Sequence, residues 1–162
     1  MRARRHVIQA GGGVLALFLG KVSIHSSKAA SAFEVSRTDA EWRRQLTPAQ
    51  HSVLRQSGTE QPFSSPLLAE HRRGTFNCAG CGRAAFSSAA KFESGTGWPS
   101  FWASLEGGIT TESDRSFGMV RTAVHCRGCG GHLGHVFDDG PQPTGLRYCM
   151  NGVALGFRPD RA

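Results

Sequence analysis

The sequence predicts a mainly β domain with short helices at its N-terminal end. Three observations carry that expectation. From Gly74 onward, short runs such as "GTFNC", "GMVRTAVHC", "HVF" and "LRYCMNGVALGF" are separated by clusters of Gly, Ser, Asp and Pro, the texture of antiparallel strands and turns. Two short segments ahead of them carry helix caps and inward apolar residues. Two C-x-x-C pairs, far apart in the chain, mark a metal clamp between distant turns. A chain of 162 residues with 39% hydrophobic content suits one domain with a real core.

The elements follow in order. Residues 1–32 read as an export signal: a basic start, "MRARRHVIQ", then an apolar run from Ala10 to Leu19. That run is too short for the ~20 residues that span a bilayer as a helix and suits a signal-peptide core. Arg4-Arg5 ahead of a Gly-rich run resembles a twin-arginine export signal, and Ala30 and Ala32 in "AASA" place cleavage before Phe33. The expected product is residues 33–162 as a single domain, handed by the export machinery to the periplasm or secreted. The formal charge of +7 belongs mainly to the leader, which holds five cations and no carboxylate. The remaining 14 basic and 12 acidic residues leave little for the basic face that nucleic-acid binding needs, so no nucleic-acid partner is expected.

Next, "TDAEWRRQL" offers Thr38 or Asp39 as a helix cap. "TPAQHSVLRQSG" offers Thr47 as a cap, Pro48 at the first helical position and Gly58 as a stop. Trp42, Leu46, Val53 and Leu54 would pack inward. "TEQPFSSPLL" is a proline-broken connection into the strands.

Cys78-Ala79-Gly80-Cys81 and Cys126-Arg127-Gly128-Cys129 are paired knuckles, each followed by a glycine, Gly82 and Gly130, that permits positive φ. Four thiolates around one Zn²⁺ make a closed site that serves structure and leaves no coordination position for chemistry. In an exported protein the same four cysteines could form disulfides, and either pair could be a redox couple. The duplicated knuckle favours a single structural zinc per chain.

Cys149 is the one cysteine outside the knuckles. If "GLRYCMNG" is a strand, Leu146, Tyr148 and Met150 face one way, and Arg147, Cys149 and Asn151 the other. A thiol among polar groups, beside a fixed cation, has the setting of a nucleophile. "GGHLGHVFDDGP" supplies His132 and His135, proton donors near neutral pH. In a regular strand they face opposite sides, so both reach Cys149 only if Gly131 or Gly134 makes a bulge. "SGTGWPSFW" folds tightly about Gly95, Gly97 and Pro99 and presents Trp98, Phe101 and Trp102 as a candidate aromatic wall.

Together "FSSPL", "CAGCG", "KFESGTGWPSFW" and "HCRGCGGHLGHVFDDGPQPTGLRYCMN", in that order, resemble the B-type methionine sulfoxide reductases over about Trp42 to Phe157. The resemblance implies two twisted antiparallel sheets, sandwich- or barrel-like, with a Cys₄ zinc site remote from the active cysteine. It implies Cys149 as nucleophile, with His132, His135, Arg147 and Asn151 around it, and Trp98 and Phe137 lining a slot for the substrate methyl group. It further implies reduction of the R epimer of methionine sulfoxide, in proteins or peptides, through a sulfenic acid on Cys149 that a thioredoxin-like donor recycles.

Three positions depart from the family pattern. Thr96 stands where two-cysteine members carry a resolving cysteine, Gly152 stands for Ser, and Glu93 for Asp. Two rival functions, a zinc-ribbon binding module and a dithiol oxidoreductase using the knuckles, leave the Arg147/Cys149/Asn151 face unexplained.

Overall fold

The computed structural model describes residues 33–161; the expected leader, residues 1–32, lies outside the described residues. Helix α1 spans Asp39–Gln45 and α2 spans Pro48–Gln56. Each opens with a capping box. The Thr38 hydroxyl accepts from the Glu41 N–H and the Glu41 carboxylate from the Thr38 N–H, and Thr47 and Gln50 repeat the exchange, with Pro48 at the first position of α2. Caps of this kind each hold a short helix by about 1 kcal/mol. Helix α2 stops at Ser57, in the left-handed conformation at φ 55°, one residue before the expected Gly58.

Trp42, Leu46, Val53 and Leu54 are buried as expected. The guanidinium groups of Arg37 and Arg55 each lie over the Trp42 ring, 5.0 and 4.9 Å from its centroid. The same helical pair is pinned to both knuckles. Gln45 Nε2 donates to the Gly80 carbonyl at 2.6 Å and Arg55 Nη1 to the Cys129 carbonyl at 3.0 Å.

Nine strands follow: β1 Gly74–Cys78, β2 Ala84–Ser87, β3 Lys91–Phe92, β4 Ser100–Phe101, β5 Ile109–Asp114, β6 Arg121–Cys126, β7 His132–Phe137, β8 Arg147–Met150 and β9 Leu155–Pro159. They make two antiparallel sheets, one ordered β2-β1-β9 and the other β3-β4-β8-β7-β6-β5. The mainly β architecture with short N-terminal helices is therefore as the sequence indicates.

The sheets meet through aromatic rings. Phe101 of β4 stacks on Phe86 of β2 at 4.5 Å and meets Phe76 of β1 edge-on at 4.9 Å, all three excluded from solvent. Full burial contributes about 1.5–3 kcal/mol for each such side chain. This corrects one expectation. Of the proposed aromatic wall, Phe101 belongs to the core and Trp102 packs partly buried against it, leaving Trp98 for the pocket.

The two knuckles are the turns of two hairpins, β1–β2 in the small sheet and β6–β7 in the large one. A metal ion held by both knuckles would therefore tie the sheets together at one end. No helix among the described residues is long and apolar enough to cross a membrane.

Candidate active site and metal clamp

The clamp is built by backbone first. The Gly82 N–H donates to the Cys78 carbonyl and the Gly130 N–H to the Cys126 carbonyl, both at 2.8 Å, with Gly82 and Gly130 at φ 77° and 69°. These turns aim four sulfurs at one point. Cys78 and Cys129 Sγ lie 3.7 Å apart, Cys81 and Cys126 Sγ 3.5 Å, and all four lie within 4.8 Å of one another. A tetrahedron with metal–sulfur bonds of about 2.3 Å has edges of about 3.8 Å. The residues present fit a four-thiolate metal ion. Three of the cysteines are buried and Cys81 is half-buried.

Cys149 sits in the middle of the large sheet, opposite Ser100 of β4 on one side and His135 of β7 on the other. Directly opposed side chains share a face, with Cβ atoms about 4.5–5.5 Å apart. The expected alternation holds: Met150 is buried and Tyr148 packs on the core, while Cys149 and Asn151 line a cavity of about 140 Å³. Thr59, Trp98, Arg121, Gly134, His135 and Phe137 complete its lining. Trp98 and Phe137, the pair the resemblance implied for the methyl slot, line the same cavity as the cysteine.

The bulge on which the histidines depended is present. Val124 pairs with Gly134 but His125 with His132, so β7 carries one extra residue, Leu133, between them. The insertion brings rings three positions apart to one side, with the His132 and His135 centroids 5.2 Å apart. Gly134 is required at this point, because a Cβ there would meet the Cys149 carbonyl oxygen at 2.2 Å.

The two rings have different settings. His135 lines the Cys149 cavity, and its Nε2 meets Asp114 Oδ2 at 2.8 Å. Asp114 is held well below the usual carboxylate range by hydrogen bonds from the Ser116 backbone and hydroxyl, then by His135, with the Arg121 charge adding to them. His132 does not line that cavity. It stands behind His135, is 3% exposed, and has no hydrogen-bond partner for either ring nitrogen among the described residues. Burial, with the His125 and His135 rings adding to it, pulls its pKa down to about 4.

Arg147 lies beside the cavity, with its guanidinium 4.4 Å over the Phe137 ring. It forms a two-point pair with Asp139, at 2.8 and 2.7 Å. That carboxylate holds the guanidinium charged, and an attraction to the Cys149 sulfur acts in the same direction. Asn151 is spent on the backbone: its Oδ1 accepts from the Glu60 N–H at 2.9 Å and its Nδ2 donates to the Leu133 carbonyl at 3.1 Å, which pins the bulge. Thr96 Oγ1, at the position where the resemblance gives two-cysteine members a resolving cysteine, lies 3.6 Å from Cys149 Sγ.

Sequence reasoning missed Asp114, Asp139, Glu60, Thr59 and Arg121. Asp114 is 21 residues from its histidine and Glu60 91 from its asparagine, so no local pattern announces either. The Gly152 departure also gains a cause. A Cβ at residue 152 would fall 1.8 Å from Ser65 Oγ, so Ser65 fills the volume that a residue-152 side chain would take.

One prediction follows from His132. Its ordinary pKa is near 6.5, so the unfolded chain takes up a proton from there downward that the folded protein refuses until about pH 4. Stability present at neutral pH is thus lost as pH falls through that window, by roughly 2 kcal/mol between pH 7 and pH 5. Urea unfolding at both pH values should show this loss in the wild type and not in His132→Asn. Equal pH dependence in the two proteins would contradict it.

Known proteins match the chain over most of its length. The SelR domain family matches residues 46–159. A protein of Leptospira interrogans serogroup Icterohaemorrhagiae serovar Lai named peptide methionine sulfoxide reductase MsrB is 50% identical over 129 residues, 79% of this chain and 98% of its own. Proteins of the same name from Bradyrhizobium diazoefficiens and Methanosarcina mazei are 54% and 50% identical, each over 78% of this chain and 91% of their own. With the SelR match and these relatives covering most of its length, the chain belongs to the B-type methionine sulfoxide reductase family.

Proposed function

We propose that this chain is a peptide-methionine (R)-S-oxide reductase, acting on oxidised proteins or peptides. The observation that carries this is the direct pairing of Cys149 with His135 at the wall of a small cavity shared with Trp98 and Phe137. The substrate methyl group rests on the Trp98 and Phe137 rings, which brings the sulfoxide sulfur toward Cys149. With the methyl group, the oxygen and the attacked sulfur each given a place, the peptide chain has one direction left to leave. That supports a choice between epimers, and the family resemblance supports R.

The chemistry balances without a cofactor. Cys149 thiolate attacks the sulfoxide sulfur while His135, anchored through Nε2 by the Asp114 carboxylate, gives a proton to the oxygen through Nδ1. The attack forms a bond between the Cys149 and methionine sulfurs. The protonated oxygen then passes to the Cys149 sulfur as that sulfur–sulfur bond and the methionine sulfur–oxygen bond break, which releases methionine and leaves a sulfenic acid on Cys149. The two electrons gained by the sulfoxide are those lost by the thiol. Arg147 and His132 support this pair from behind: the first holds a fixed positive charge over the Phe137 ring at the cavity wall, and the second packs against His135. Asn151 holds β7 and β8 in register.

Thr96 has no thiol to resolve the sulfenic acid, so an external dithiol of thioredoxin type attacks it. Water leaves, and the second thiol of the donor breaks the mixed disulfide. The four knuckle cysteines hold one structural zinc, which ties the two hairpins and supplies no Lewis-acid position. Loading of zinc in the cytoplasm, followed by twin-arginine export and cleavage before Phe33, would deliver the folded enzyme to the periplasm. The charged leader and the Ala30-Ser31-Ala32 site support that route.

Residues 33–162 incubated with racemic methionine sulfoxide and dithiothreitol should consume one epimer and leave the other. Cys149→Ser should be inactive, and His135→Asn should retain about 10⁻²–10⁻⁴ of the wild-type rate. Consumption of both epimers, or activity in Cys149→Ser, would overturn the assignment. Protein isolated from the periplasm should begin at Phe33 and carry one zinc ion per chain, and chelation should lower its melting temperature. An uncleaved, metal-free active enzyme would contradict the export and clamp proposals together.

A further inference from the structure

Resting on that functional reading, we propose that Glu60 is a positioning residue that sets the substrate pocket from outside it. Glu60 lies in the proline-broken connection after α2, a stretch with no regular secondary structure of its own there. Yet every polar group of this one residue is committed to the site. Its Oε1 accepts from the Gly152 N–H at 2.6 Å and its Oε2 from the Val153 N–H at 2.8 Å. Its own N–H donates to Asn151 Oδ1 at 2.9 Å, and its carbonyl accepts from the Trp98 indole Nε1 at 3.3 Å.

The physical need is specific. Gly152–Ala154 is a single 3₁₀ turn beginning three residues past Cys149, and its first N–H groups require acceptors. Asn151, at the capping position, supplies none, because its side chain is directed to Glu60 and Leu133 instead. The Glu60 carboxylate performs the capping from 92 residues away. Two adjacent N–H groups need two acceptor oxygens on one short planar group, which a carboxylate offers and an amide does not. That bidentate grip fixes the main chain of residue 60, and the fixed main chain in turn presents the acceptor for Trp98 and the donor for Asn151. Through these two contacts Glu60 couples the methyl-binding wall to the nucleophile's strand.

The role is separable from simple stabilisation. Glu60 acts on the slot through Trp98, and its hydrogen bonds go to Asn151, Trp98, Gly152 and Val153 and to neither Cys149 nor His135. Glu60→Gln keeps shape and one acceptor but turns an NH₂ toward the second N–H. It should raise KM for the sulfoxide by about 10- to 100-fold, the loss expected for a charge-assisted hydrogen bond. kcat and the rate of Cys149 alkylation by iodoacetamide should stay within about threefold of wild type. In a Trp98→Phe background the same change should add little, because the contact it works through is already gone.

Four readouts decide it: KM, kcat, alkylation rate and melting temperature, measured on wild type, Glu60→Gln, Trp98→Phe and the double variant. A KM-selective effect that vanishes in the Trp98→Phe background supports the proposal. Overturning results are an unchanged KM, a full and additive effect in the double variant, or a collapse of melting temperature and alkylation rate together with activity. A wild type that reduces no sulfoxide would overturn the functional assignment and this proposal with it, whereas an active wild type matched by Glu60→Gln overturns this proposal alone.

Discussion

The site depends on one pairing: β7 against β8, with His135 directly opposite Cys149. A strand register has a period of two, so a slip of one residue would turn Cys149 into the core and bring Met150 to the cavity. Three features hold the register. Gly134 lets the backbones close to a distance that any side chain would block. The extra residue Leu133 offsets β7 so that His132 backs His135. Asn151 ties the end of β8 to the bulge itself through the Leu133 carbonyl.

Around that pairing, each reactive group is fixed by a partner from elsewhere in the chain. Asp114 of β5 holds His135, Asp139 of the β7–β8 loop holds Arg147, and Glu60 of the N-terminal connection holds the turn after Cys149. The carboxylates therefore orient the groups and set local charge, and leave the Cys149 thiol and the His135 imidazole lining the cavity. The knuckle cysteines divide from Cys149 in the same manner. Four are turned by tight glycine hairpins toward one point, and the fifth stands on a strand face beside an aromatic slot. The four knuckle sulfurs and the cavity sulfur are thereby kept apart within one small fold.

Much of this was legible where chemistry repeats locally. The alternation through residues 146–151 placed Cys149 on the polar face, the doubled C-x-x-C announced four converging sulfurs, and Gly131 or Gly134 was expected to carry the bulge that unites the histidines. What escaped was set by tertiary packing. Trp98, Phe101 and Trp102 look alike in a line of text, but β4 pairs with β8 so that Phe101 enters the inter-sheet core. Asp114 and Glu60 act across 21 and 91 residues, and no spacing rule connects them to their partners. Gly152 looked like a lost hydroxyl until Ser65 was found filling its space.

If a single sulfur, that of Cys149, accepts the oxygen atom, one turnover without reductant will show it. Reduced protein mixed with an excess of the sulfoxide should release one methionine per chain and then stop. Dimedone added at that point should label Cys149 alone, at matching stoichiometry, with the knuckle cysteines unlabelled. Methionine released without a trapped sulfenic acid on Cys149, or label appearing on Cys78, Cys81, Cys126 or Cys129 instead, would contradict the account.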